Sequence, residues 1–139
     1  MDTIEYTIDQ NPKPEDDKIL REGIVNFNKE VIKEKATHFS IFAKNNSQVV
    51  GGALVWEHSD ALYIDVLWLH KNYRKKGIGT KIISMIDTVA IDKGISKIFV
   101  DTYEFQAQEF YQKHGFNGIG TIPGYLLGCD RVFMRKDIQ

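Results

Sequence analysis

Tyr73-Arg74-Lys75-Lys76-Gly77-Ile78-Gly79-Thr80 runs without a break into Lys81-Ile82-Ile83-Ser84-Met85-Ile86, and the apolar stretch Tyr63 to Leu69 precedes it. A strand therefore enters a basic, glycine-punctuated turn that opens directly into a helix. Ile78, Ile82, Met85, Ile86 and Val89 give that helix one apolar stripe, and Lys93-Gly94 supplies its stop. Unpaired N–H groups at a helix start, reinforced by the helix dipole, form an anion site. Gly77 and Gly79 lack a Cβ, so the backbone is expected to approach phosphate oxygens closely there. Thr80 can add a hydroxyl donor. Lys71, Arg74, Lys75, Lys76 and Lys81 make this segment strongly basic, with no acidic residue among them. Such a patch attracts a compact polyanion although the chain as a whole carries a net charge of −1.

Two familiar phosphate loops do not fit. A Walker A loop ends G-K-[ST], whereas Gly79 is followed by Thr80-Lys81 in the reverse order. The dinucleotide fingerprint needs a third glycine where Ile82 stands.

Working outward, Thr3 to Ile8 alternates and reads as a first strand, broken by Asn11-Pro12-Lys13-Pro14. Asp16 and Asp17 then mark a helix start, and Leu20, Ile24, Phe27 and Val31 give that helix an apolar face. Phe39–Lys44 and Val49–Glu57 read as a hairpin about Asn45-Asn46-Ser47-Gln48, and His58-Ser59-Asp60 turns the chain into the antiparallel strand Ala61–Leu69. Beyond the central helix, Lys97–Asp101 is a strand and Gln106–Lys113 a short helix ended by Gly115. Phe116–Thr121 and Arg131–Arg135 read as closing strands around a loop, Ile122–Asp130. The order β-α-β-β-β-α-β-α-β-β implies an α/β fold, a mixed sheet with helices on its faces.

The chain of 139 residues suits a single domain, 1–139, because two cores of half that size would be marginal. A hydrophobic content of 42% and a charged content of 27% are those of an ordinary globular protein. No apolar run approaches the ~18 residues of a membrane span. Met1-Asp2-Thr3-Ile4-Glu5 lacks the regions of a signal peptide, and the lone Cys129 forms no intrachain disulfide; a cytoplasmic location is the expectation. His38, His58, His70 and His114 have no ligand-like spacing, so no metal is expected. Trp56 and Trp68 read as core residues. The basic segment lacks the interleaved aromatics of a single-strand binder, so no nucleic-acid partner is expected.

Arg74, Gly77 and Gly79 spell R-x-x-G-x-G, and Ala107-Gln108-Glu109-Phe110-Tyr111-Gln112-Lys113-His114-Gly115-Phe116 spells A-x-x-[hydrophobic]-Y-x-x-x-G-F. Separated by one helix and one strand, these two patterns resemble those of the GNAT superfamily of N-acetyltransferases. The resemblance covers roughly residues 39–135. It implies a mostly antiparallel central sheet flanked by helices, with two splayed central strands. It also implies acetyl-CoA as the acetyl donor, gripped by residues 74–80: Arg74, Lys75, Lys76, Gly77, Ile78, Gly79 and Thr80. It further implies a bulge near Leu67 and Trp68 whose main chain, with that of Leu69, hydrogen-bonds the pantetheine and polarises the thioester carbonyl. The family often has Asn where this chain has Glu104, so that contact is not carried over. The implied reaction is direct transfer to a primary amine in a ternary complex, with a small-molecule or peptide acceptor. Small relatives are often dimers, so a homodimer is one expected state.

An alkyl ammonium, with a pKa of roughly 10, must lose a proton before it attacks. A base, an oxyanion site and an acid for the leaving thiolate are the parts required. The resemblance places Tyr111 beside the thioester sulfur as the acid; its alternative role is packing with Phe110 and Phe116. Asp65 is the candidate base, a charge in mid-strand among Tyr63, Ile64, Val66 and Leu67 that is costly unless paired or used. Glu104 is its rival. Phe27 and Asn28 on the first helix and Tyr125 in the loop Pro123–Gly128 are candidate acceptor contacts. The competing class is a non-catalytic acetyl-CoA-binding module.

Overall fold

The computed structural model describes residues 2–139, which divide into two compact units, 2–35 and 36–139. The first contains one helix, α1 (Pro14–Ile32), which starts on a proline with Glu15, Asp16 and Asp17 in its first turn. Proline is preorganised at that position, and acidic groups suit the positive end of the dipole. The helix stops at Lys33, which is left-handed with φ 68° and donates its N–H to the Lys29 carbonyl. None of its residues is buried, the Leu20-Ile24-Phe27-Val31 stripe included. The strand expected at Thr3–Ile8 does not form. Alternation assigns faces, but a strand exists only when a neighbour takes its N–H and C=O groups.

The second unit is a six-stranded sheet with two helices. In chain order the strands are β1 (Thr37–Asn45), β2 (Gln48–His58), β3 (Ala61–Leu69), β4 (Lys97–Tyr103), β5 (Asn117–Leu126) and β6 (Cys129–Asp137); α2 (Ile78–Asp92) follows β3, and α3 (Gln108–Lys113) follows β4. The spatial order is β1-β2-β3-β4-β6-β5. Only β3 and β4 pair in parallel; every other neighbour is antiparallel. This is the mixed, mostly antiparallel sheet expected.

Both outer hairpins turn on two left-handed residues, Asn46-Ser47 (φ 49° and 70°) and Leu127-Gly128 (φ 49° and 76°). Such primed turns match the twist of the flanking strands. The second hairpin corrects the expected loop: Ile122–Leu126 belongs to β5, and Cys129-Asp130 begins β6. Pro123 and Gly124 read as breakers, but β5 is an edge strand, where a missing N–H costs no ladder bond. A register shift between Ile122 and Leu126 absorbs them.

One face of the sheet buries Leu62, Ile64, Ile98, Val100, Val132 and Met134 against Ile82, Ile83, Ile86 and Ala90 of α2, and against Tyr111 and Phe116 around α3. The alternation along β4 and β6 puts Phe99, Asp101, Tyr103, Arg131, Phe133 and Arg135 on the opposite face.

Candidate active site

The strands β3 and β4 pair only from Ala61–Ile64 to Lys97–Val100. Beyond Ile64 they part, so Asp65–Leu69 has no ladder partner on its β4 side. The cause is a bulge. Leu54 opposes Val66 and Val55 opposes Ile64, which leaves Asp65 as the extra residue. The extra residue inverts the alternation: Leu62 and Ile64 face the core before it, and Leu67 and Leu69 pack on the core after it. The expected bulge is real but lies at Asp65, two residues before Leu67. This also corrects the reason for singling out Asp65. Its side chain is exposed, so no burial cost demands a partner, and it forms no hydrogen bond or ion pair among the described residues.

On the helix side of the splay lies an open groove of about 680 Å³. Its floor includes Leu67, Trp68 and Leu69; Arg74, Lys75, Gly77, Gly79 and Thr80 close one end. Gly77 caps α2 in the left-handed region at φ 82°, and no side chain caps the helix. The first intrahelical bond runs from the Lys81 N–H to the Gly77 carbonyl (3.0 Å), leaving the N–H groups of Ile78, Gly79 and Thr80 without helical partners. A Cβ on Gly77 would meet nothing within 4 Å, so its side of the turn is open. These features fit a diphosphate: free donors, a dipole end and the charges of Arg74 and Lys75. Arg74 is oriented by its Nε–H bond to the Leu69 carbonyl (3.1 Å).

The two glycines do different work, which corrects the expectation that both clear space for phosphate. A Cβ on Gly79 would lie 3.0 Å from the Phe110 ring and 3.7 Å from Leu69. Gly79 is buried and lets α3 close on α2. Lys76 and Ile78, expected at the cofactor, do not line this groove. The Lys76 ammonium lies 5.8 Å from the Tyr73 ring centre, and Ile78 packs on the core. The groove adds residues not singled out from the sequence as cofactor contacts: Phe105, Gln106, Ala107, Phe110, Lys113 and His114. The His114 Nε2 lies 3.2 Å from the Thr80 hydroxyl. The basic His114 and Lys113 beside the G-F signature were the available signal.

Tyr111 is 5% exposed, wedged edge-on between the Phe110 and Phe116 rings. Burial, and then the charge of Asp101, push its phenol up to about 12. It therefore keeps its proton throughout the neutral range.

Across the splay, on the opposite face, Asp101 anchors a network that the sequence did not reveal. The Tyr63 hydroxyl donates to Asp101 Oδ2 (2.6 Å), and Arg131 donates to Oδ1 through Nε (3.1 Å) and Nη2 (2.7 Å). Burial and the bond to Asp101 raise the Tyr63 phenol to about 12. The Arg131 guanidinium lies 4.9 Å from the Tyr125 ring and 5.4 Å from Phe133. Tyr125 thus joins a cluster on this face. Glu104 accepts the Asp130 N–H (3.2 Å), tying β6 to the end of β4. Trp68, read as core, is 48% exposed. Phe27 and Asn28 lie on exposed positions of α1, in the N-terminal unit. No group of three or more His, Cys, Asp or Glu able to hold a metal occurs among the described residues.

The family model for the GNAT acetyltransferases matches residues 2–116. Blasticidin-S acetyltransferase of Streptomyces morookaense is 28% identical over 92 residues, 66% of this chain and 68% of that protein. An acetyltransferase of Bacillus cereus ATCC 14579 superposes with a TM-score of 0.79 at 26% identity, covering 95% of this chain and 98% of the other. PaiA N-acetyltransferase of Thermoplasma acidophilum, solved with coenzyme A, shares the fold at a TM-score of 0.65 and 20% identity, covering 87% and 73% of the two chains. The chain belongs to the GNAT acetyltransferase family and is an acyltransferase.

Proposed function

We propose that the protein transfers an acetyl group from acetyl-CoA to a primary amine directly, both reactants being bound together. The observation that carries this reading is one continuous groove. An uncapped helix start lies at one end, and main-chain groups freed by the β3–β4 splay lie along it. Bound there, acetyl-CoA would supply the activated acetyl group. The N–H groups of Gly79 and Thr80 would hold the pyrophosphate, with Arg74 and Lys75 neutralising it. The unpaired main chain of Leu67, Trp68 and Leu69 would bond the pantetheine arm and polarise the reacting carbonyl.

Tyr111 would assist the departing sulfur. A phenol near 12 is a weaker acid than a thiol at roughly 8.5, so it serves as a hydrogen-bond donor to developing thiolate, without full proton transfer. Among the nearby carboxylates, Asp101 is engaged by Tyr63 and Arg131 and Glu104 by the Asp130 N–H, whereas Asp65 is free to accept the amine proton, directly or through water. The acceptor itself is a small molecule or peptide bearing a primary amine; the likeness to blasticidin-S acetyltransferase supports the small-molecule class. The test is free-thiol release from acetyl-CoA against a panel of amines, alongside calorimetry of cofactor binding. Binding without release for any amine would refute the transfer reaction.

A further inference from the structure

Arg74 and Lys75 already balance the two negative charges of a diphosphate, yet the groove has further basic side chains from another element. Lys113 and His114, at the end of α3, line it together with Thr80 at the start of α2, and no Asp or Glu lines it. His114 is held from two sides. Its Nε2 lies 3.2 Å from the Thr80 hydroxyl, and its ring packs against Phe110 with centres 4.7 Å apart. Lys113 follows Glu109 by one helical turn, a spacing at which such pairs readily form. It nevertheless enters no ion pair among the described residues. Its charge is free.

Other cations near the turn are placed elsewhere. The Lys76 ammonium lies 5.8 Å from the Tyr73 ring centre, and Lys81 lines a separate cavity with Phe42 and Asn45 of β1. The excess positive charge in the groove therefore comes from the end of α3. The ligand proposed for this groove bears a further anion. Coenzyme A carries a phosphomonoester on its ribose, one sugar away from the diphosphate, and that group is close to doubly charged at neutral pH. With the diphosphate at Gly79 and Thr80, the phosphomonoester stays near the start of α2. The contact between Thr80 and His114 puts the basic end of α3 within that reach. An imidazole held by its neighbours gives direction, and a lysine ammonium gives charge.

We propose that Lys113 and His114 form a seat for the 3′-phosphomonoester of acetyl-CoA, so that the protein distinguishes the full cofactor from its 3′-dephospho form. This inference rests on the acetyl-CoA reading above and extends it to a pair of residues outside the glycine turn.

The test is calorimetry of the full chain with acetyl-CoA and with 3′-dephospho-acetyl-CoA. The full cofactor should bind roughly ten- to a hundredfold more tightly, the range for hydrogen bonds to a charged group. Raising the salt should shrink that ratio. Lys113→Met and His114→Phe should each narrow it to about threefold or less, whereas Arg74→Met should weaken both ligands by a similar factor. Should His114→Phe fail to fold, as judged by circular dichroism, the exposed Lys113 carries the test alone. A wild-type ratio near one, a ratio unchanged by Lys113→Met, or a ratio narrowed only by Arg74→Met would overturn this inference and leave acetyl-CoA binding standing. Binding of neither ligand would overturn both.

Discussion

The two sides of the β3–β4 splay are built on different principles. The groove on the helix side is made largely of main chain: an uncapped helix start, a glycine at φ 82° and strand backbone left unpaired by a bulge at Asp65. The opposite face is made of side chains, with Asp101 at the centre of bonds from Tyr63 and Arg131 and an aromatic cluster around them. On the proposed reading, backbone donors would recognise what every substrate pair shares, the phosphate and amide groups of the cofactor. Side chains can be exchanged without disturbing the ladder, so the second face would be the one to set acceptor choice.

The hardest blow to the groove side is Gly79→Glu. It forces a side chain toward Phe110 and adds negative charge at the helix start. Acetyl-CoA affinity should fall at least about a hundredfold in calorimetry, through repulsion in a partly buried site. Unchanged affinity would break the phosphate assignment. Tyr111→Phe removes the phenol proposed to assist the departing sulfur. Turnover should drop roughly a hundredfold while cofactor affinity holds. Because the phenol lies near 12, ionisation of Tyr111 should cause no loss of rate up to about pH 10, and a rate that falls in that range would contradict this role.

Gly77→Ala sharpens the comparison on the backbone side. A left-handed position with open surroundings penalises the Cβ by conformation alone, about 1–2 kcal/mol in thermal or denaturant unfolding. A variant as stable as the parent would show that the turn can relax. The smallest effect concerns the side-chain face. The Tyr63 phenol is raised from 10.0 to about 12 in the folded protein, so the folded state holds its proton more tightly than the unfolded chain. Its contribution is full below pH 10 and is lost as the pH rises toward 12. Tyr63→Phe should flatten the stability profile across that window and leave it unchanged at neutral pH.

Much of the fold was legible because local chemistry and tertiary structure agree. The turn at Asn46-Ser47, the strand Ala61–Leu69 and the stop at Lys93-Gly94 all stand where periodicity and turn residues put them. The failures share one cause. Thr3–Ile8 lacks a pairing partner, and β5 carries Pro123 through an edge where no ladder bond is lost. Both depend on neighbours that a local pattern does not contain. The groove's basic, glycine-rich end could be read directly, whereas Asp101 could not. Its significance comes from Arg131, thirty residues on, and from Tyr63 on another strand.

The sequence by itself determined the element that offers free donors to an anion, since strand, glycine turn and amphipathic helix are consecutive in the chain and their donors follow from backbone geometry. It also determined the pairing of that element with the Tyr111 signature. Only the tertiary structure decided that Gly79 serves helix packing, that the bulge falls on Asp65, and that Asp101 faces the splay. Each of those is a contact between residues far apart in the chain. Such contacts exist only once the sheet has set its register and brought β3, β4 and β6 side by side.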